Sequence, residues 1–146
     1  MEKQQQGFMA SLGLLVLRLG AGGFMLSHGW GKLQMLIAGN FDQFADPIGL
    51  GKTMSLILIV VAEALCAALV MIGLATRLAA VPTVIAMAVA AFVVHANDPW
   101  TMQQEGGSKE PALLFLTAFL TLFFTGAGRF SLDALIGPRF RKKTEN

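Results

Sequence analysis

VVAEALC (residues 60–66) places a single carboxylate, Glu63, inside the apolar run TMSLILIVVAEALCAALVMIGLA (residues 53–75). An ionised side chain at the centre of a bilayer costs roughly 2.5–3.5 kcal/mol on insertion scales. If the run crosses a membrane, Glu63 must face something other than lipid. If it does not, a soluble core must bury a 20-residue apolar helix. The surrounding chain decides between these readings.

The chain has 146 residues, of which 55% are hydrophobic and 14% charged. A soluble domain averages about 45–50% apolar and about 25% charged residues. The excess lies in four blocks, each near the roughly 20 residues that a spanning helix needs. Helices are expected over about 8–33, 53–74, 77–96 and 109–128, with a short amphipathic tail over 131–143. They use most of the chain, so one domain, 1–146, is expected: an all-α, integral-membrane four-helix bundle. The first block is too long for a signal peptide, and Arg18 interrupts it.

Charge sets the expected orientation. Lys3, Arg77, Arg129, Arg139, Arg141, Lys142 and Lys143 fall at the termini and in the second connection, against Lys32, Lys52 and Lys109 in the other two loops. The positive-inside rule then puts both termini in the cytoplasm of a multi-pass protein of the cytoplasmic membrane. RFRKK (139–143) suits a membrane lipid surface better than nucleic acid, and no nucleic-acid partner is expected.

Local chemistry agrees with these boundaries. Gly73 can end the second helix, and Thr76 can N-cap the third. Ser108 can N-cap the fourth, with Glu110 and Pro111 in its first turn. Phe41 and Phe44 suit a short helix at the outer surface. In the first helix, Arg18, Gly22, Met25, Gly29 and Lys32 share a stripe, whose glycines admit a close neighbour. Counted from the block ends, Arg18 and Glu63 both fall near mid-membrane on antiparallel helices. A buried Arg18–Glu63 ion pair is therefore expected to close the bundle. A proton-handling carboxylate, or a hydrogen-bond partner for a bound head group, is the functional alternative. Thr117, Thr121 and Thr125 recur at four-residue spacing and are expected to make interhelical hydrogen bonds.

His28, Lys32, His95, Asp98, Lys109 and Glu110 all fall at the outer ends of the helices. Taken singly they read as interfacial polarity. Taken together, His28, Lys32, His95, Asp98 and Glu110 form a candidate quinone site. Two histidines can hydrogen-bond a quinone carbonyl or relay its proton, while the charged groups tune proton exchange. No metal site is expected, because no tight ligand motif is present. No haem is expected either, since both histidines lie near the surface. The single cysteine, Cys66, argues against thiol–disulfide chemistry within one chain, structural zinc and cysteine-bound iron–sulfur clusters.

Five segments, in this order, resemble the DoxX family of small four-helix membrane proteins: RLGAGGFMLSHGWGKL (18–33), AEALCAALVMIGLATRLAA (62–80), HANDPW (95–100), KEPALLFLTAFL (109–120) and GAGRFSLDALI (126–136). The resemblance marks Arg18, His28, Lys32, Glu63, Arg77 and Asp133 as motif positions. It implies a bacterial or archaeal cytoplasmic-membrane bundle with a quinone-linked redox role. The leading expectation is a quinone-interacting subunit of a membrane oxidoreductase, with electrons from a protein partner or a diffusible substrate. The alternatives are a non-enzymatic scaffold or assembly partner, and a small-solute or lipid carrier, the last expected to be a homo-oligomer.

Overall fold

The computed structural model describes residues 2–102 and 106–141, with side chains for 7–102 and 106–136. Among the described residues there are helices and no strands. α1 covers Glu2–Ile37. A 3-10 turn follows at Phe41–Gln43. α2 covers Lys52–Ile72 and α3 covers Thr76–Val94. α4 is Glu110–Thr125 and α5 is Leu132–Arg141. The first three are long and apolar enough to cross a membrane, and α4 is a shorter apolar helix of the same character. One end of the molecule, the terminal end, carries the α2–α3 turn and α5. The other, the loop end, carries the two long connections.

The outer surface is apolar. Leu78, Phe24 and Phe124 are 77%, 69% and 67% exposed, and they have many exposed aliphatic and aromatic companions. The interior is built of small and polar residues: Ala67, Ala80 and Ala91 are fully buried, and so is Thr83. Lipid removes the hydrophobic force between helices, so association depends on close backbone approach and interhelical hydrogen bonds. This distribution is compatible with a membrane helical bundle.

The α1–α2 seam shows that approach. Met25 is 1% exposed, and Gly22 and Gly29 are buried on the same stripe. A Cβ on Gly22 would lie 3.2 Å from the Ala67 carbonyl oxygen. On Gly29 it would lie 2.7 Å from the carbonyl carbon and oxygen of Glu63. The backbones therefore touch where the carboxylate is carried. Gly29→Ala is expected to cost about 1–3 kcal/mol as an overpacking change, read as a lower unfolding temperature in detergent. Gly23→Ala, with open space around its Cβ position, should be neutral or slightly stabilising.

α2 is interrupted at its centre. Val61–Cys66 is wound as a π-helical turn between two α-helical halves. Such turns loosen the carbonyl ladder, and an unpaired carbonyl in hydrocarbon is expensive. Thr83 Oγ1, from α3, donates to the Ala62 carbonyl at 2.8 Å and supplies the partner. The expected interhelical hydroxyl bond is thus made by Thr83. Thr117, Thr121 and Thr125 are exposed and donate to the carbonyls of Leu113, Thr117 and Thr121 in their own helix. At that spacing the hydroxyl reaches its own i−4 carbonyl before it reaches a neighbour.

Two of the expected caps differ as well. Lys109 occupies the α4 N-cap position, with no side-chain cap bond, and Ser108 is buried beside it. Ala75 precedes α3, and the cap is supplied from outside the helix, as described below. Gly73 ends α2 as expected, in the left-handed conformation (φ 74°). In the α1–α2 loop, Asp46 accepts from the amides of Leu50 and Gly51 and from Ser55 Oγ (3.0, 2.7 and 2.7 Å). The Ser55 bond first, then the Gly51 amide, holds its carboxyl below the ordinary aspartate value. Phe41 and Phe44 pack partly buried against Leu56, Val60 and Ala64.

Candidate functional site

Glu63 is 3% exposed in the middle of α2, and its partner is Lys32. Lys32 Nζ lies 2.5 Å from Glu63 Oε2. The expected Arg18–Glu63 pair does not form. Contacts along the seam set the stagger: Gly22 lies against Ala67 and Met71, and Gly29 against Glu63 and Ala64. Arg18 is therefore level with the end of α2, about 16 Å along the axis from Gly29 at 1.5 Å per residue. α1 begins at Glu2, before the expected start near residue 8, and Arg18 lies near its middle, but the stagger sets that level against the end of α2 rather than against Glu63. Helical side chains lean towards their own N-terminus. From near the loop end of α1, Lys32 accordingly reaches back to the level of Glu63.

Arg18 is 1% exposed and serves the terminal end. Its guanidinium donates to the Met71 carbonyl (3.4 Å) and to the Phe130 carbonyl, joining α1, the last turn of α2 and the segment before α5. Asp133 completes this clasp. Its carboxylate accepts from the amides of Ala75 (2.6 Å) and Thr76 (2.9 Å), and its own amide donates to the Gly73 carbonyl (2.8 Å). Asp133 thus caps α3 from a distant part of the chain, which lets Ala75 adopt a left-handed backbone (φ 49°). Arg77 Nη2 donates to the Phe124 carbonyl at the end of α4 (3.2 Å). Ser131 caps α5 as a local signal would suggest, accepting from the Ala134 amide at 3.2 Å.

At the loop end, His95 Nδ1 lies 2.7 Å from Asp98 Oδ2. With the carboxylate ionised, the geometry assigns the Nδ1 proton as donor to Asp98 and leaves Nε2 to accept. Gly107 packs against both side chains: a Cβ there would lie 3.2 Å from His95 Nδ1 and would require the Asp98 carboxylate to shift. Lys109 donates to the Ala96 carbonyl (2.8 Å) and lies 5.2 Å from the Trp100 ring centre. Glu110 accepts from the Met102 amide at 2.7 Å. His28 is exposed, with its ring edge-to-face against Phe115 at 5.6 Å.

Four of the five residues expected to form one outer site thus fall into three groups, and His28 stands apart from them. Lys32 goes with Glu63, His95 with Asp98, and Glu110 with the α3–α4 loop backbone. His28 makes no hydrogen bond to His95, Lys32 or Glu110 among the described residues. No group of three metal-ligating side chains is assembled among them either. The Lys32–Glu63 pair was hidden because two cations share the α1 stripe. The role of Gly107 had no sequence signal beyond its neighbour Gly106. Asp133 was marked by resemblance alone, without its task as a cap.

Chemically, Lys32–Glu63 is an acid–base pair in a low-dielectric interior beside a loosened helical turn. Proton transfer between its members interconverts an ionic and a neutral pair without moving a heavy atom. His95–Asp98 is an oriented imidazole at the loop end of the bundle, able to accept or give one proton at Nε2.

No curated protein and no solved structure gives a significant match to the chain. A family model, DoxX, matches residues 13–96. That span takes in most of α1 with Arg18 and Lys32, then Glu63 and Arg77, and reaches His95, and it is more than half of the 146 residues. The chain belongs to the DoxX family.

Proposed function

We propose that this DoxX-family membrane protein binds a quinone head group at its loop end, as a subunit of a cytoplasmic-membrane oxidoreductase. In this reading four helices cross the bilayer and both termini are cytoplasmic, in line with the basic residues of the terminal end. The observation that carries the reading is the His95–Asp98 pair: an aspartate-oriented imidazole at the mouth of an apolar bundle. With both ring nitrogens protonated, Nδ1–H stays on Asp98 and Nε2–H donates to one quinone carbonyl, while the Lys32–Glu63 pair holds a proton in exchange with the site. Reduction of a quinone to a quinol takes up two electrons and two protons. The protons pass through these pairs, and the electrons come from a partner subunit or a diffusible donor.

The test is solvent extraction of the protein, purified from its native membrane in mild detergent, followed by mass spectrometry. A stoichiometric quinone is expected. His95→Gln should reduce its occupancy about tenfold, the loss of one charge-assisted hydrogen bond, while leaving the unfolding temperature near wild type. An extract of lipids alone, with no binding when quinone is added back, overturns the reading.

A second reading is favoured by the tightness of the α1–α2 seam and the clasp at the terminal end. A rigid, closed bundle suits an assembly partner that works through a complex. A reproducible co-purifying protein with no small ligand is its signature.

A further inference from the structure

A cleft of about 430 Å³ opens at the terminal end, between the start of α3, the end of α4 and the start of α5. The quinone reading does not use it. Its lining includes Thr76, Arg77, Leu78, Gly126, Gly128 and Asp133. Gly126 and Gly128 both have left-handed φ values (78° and 75°), so this wall of the cleft is bare backbone. Arg77 lies across it: a Cβ on Gly126 would be 3.3 Å from Arg77 Nε. One guanidinium nitrogen holds the Phe124 carbonyl. Nε and Nη1 make no hydrogen bond among the described residues.

Thr76 supplies a second, independent observation. It is 1% exposed, and its Oγ1 has no hydrogen-bond partner among the described residues. A buried hydroxyl without a partner costs about 1–3 kcal/mol, so a ligand that completes it is favoured. Asp133 is the one acid in the lining, and its charge is already engaged. Both carboxylate oxygens accept from α3 amides, at the positive end of that helix. Leu78, which lines the cleft, is 77% exposed, and Phe124, whose carbonyl Arg77 holds, is 67% exposed; both offer apolar surface to an acyl chain.

We propose that this cleft binds the phosphate of an anionic phospholipid, with Arg77 on the phosphate oxygens, the Thr76 hydroxyl as a second donor, and an acyl chain along Leu78 and Phe124. Basic pockets between helix ends at the cytoplasmic surface suit lipid head groups, and guanidinium matches phosphate by bidentate geometry. A lipid rather than a soluble phosphate is indicated because the cleft lies where two apolar helices end and its mouth is apolar. The inference rests on membrane placement and is independent of what the loop end binds.

The full chain in mild detergent is titrated with phosphatidylglycerol, phosphatidylcholine or inorganic phosphate, reading bound lipid by native mass spectrometry and the unfolding temperature in parallel. Phosphatidylglycerol is expected to bind saturably and to raise the unfolding temperature more than phosphatidylcholine. Arg77→Gln should lower its affinity about tenfold or more. Arg129→Gln, which removes an exposed charge at the same end outside the cleft, should change it much less. Because Arg77 also caps α4, Thr76→Val is the companion variant: its fold is expected to hold while lipid affinity falls. Equal binding of the two lipids, or an Arg129→Gln effect as large as that of Arg77→Gln, overturns the proposal. So does inorganic phosphate reproducing the full stabilisation, which would make the ligand a soluble anion.

Discussion

Lys32→Met is expected to destabilise the bundle by about 3–5 kcal/mol, the cost of removing one partner from a buried ion pair. The effect should be asymmetric. Glu63 is 3% exposed, whereas the Lys32 side chain is 30% exposed. Without Lys32, the buried carboxylate loses its cationic partner. Without the Glu63 charge, Lys32 can extend its amine towards the loop end, as long cationic side chains do near membrane surfaces. Glu63→Gln also keeps an oxygen that accepts from Lys32, so its cost should be nearer about 1 kcal/mol, the difference between a charge-assisted and a neutral hydrogen bond. The double variant Lys32→Met/Glu63→Gln should be more stable than Lys32→Met alone. Unfolding in mixed micelles of mild detergent and dodecyl sulfate measures all four corners of this cycle. Additive effects, or a Glu63→Gln loss as large as that of Lys32→Met, would show that the pair does not hold the bundle.

Gly73→Ala is expected to cost about 3 kcal/mol or more. Two costs fall on the same atom. The backbone at Gly73 has φ 74°, a conformation that disfavours a Cβ by about 1–2 kcal/mol. The added methyl would also lie 2.6 Å from the Ser131 Cβ and run into the Arg18 guanidinium. Overpacking of this kind adds about 1–3 kcal/mol. Relief requires Arg18 to leave the Phe130 carbonyl, or the Ser131–Asp133 segment to lift from the α2–α3 turn. The variant should therefore show faster proteolysis near residues 126–136 as well as a lower unfolding temperature. Gly20→Ala, with nothing within 4 Å of its Cβ position, is the matched control and should be close to neutral. A Gly73→Ala protein with wild-type stability and protease resistance would mean that the clasp is not closed in solution.

The two variants probe opposite ends of one seam, and the seam explains how the sequence and the fold relate. The apolar blocks, the turn at Gly73 and the first-turn Pro111 are local signals, set by block length and backbone preference. They are legible without a fold, and all are present in it. The stripe Arg18–Gly22–Met25–Gly29–Lys32 is equally legible, because helical periodicity alone puts those residues on one face. The need for Glu63 to have a buried cationic partner follows from the cost of a bare carboxylate in hydrocarbon.

Which cation answers Glu63 was beyond the reach of periodicity. Arg18 and Lys32 are 14 residues apart, two full heptads, so they occupy equivalent positions on the same stripe. They are separated by about 21 Å along the axis, and only the stagger of α1 against α2 distinguishes them. That stagger is set where the backbones touch, at Gly22 against Ala67 and Gly29 against Glu63, and such contacts exist only after the helices pack. The same holds for Asp133, which caps a helix beginning 57 residues earlier in the chain, and for Thr83, which answers a carbonyl freed by a π-helical turn in another helix. The sequence by itself determined an all-helical apolar chain, its helix limits to within several residues, and the face of α1 that carries the polar groups. The tertiary structure alone decided which partners those groups meet, because axial stagger and distant capping are properties of packed backbones rather than of any local stretch.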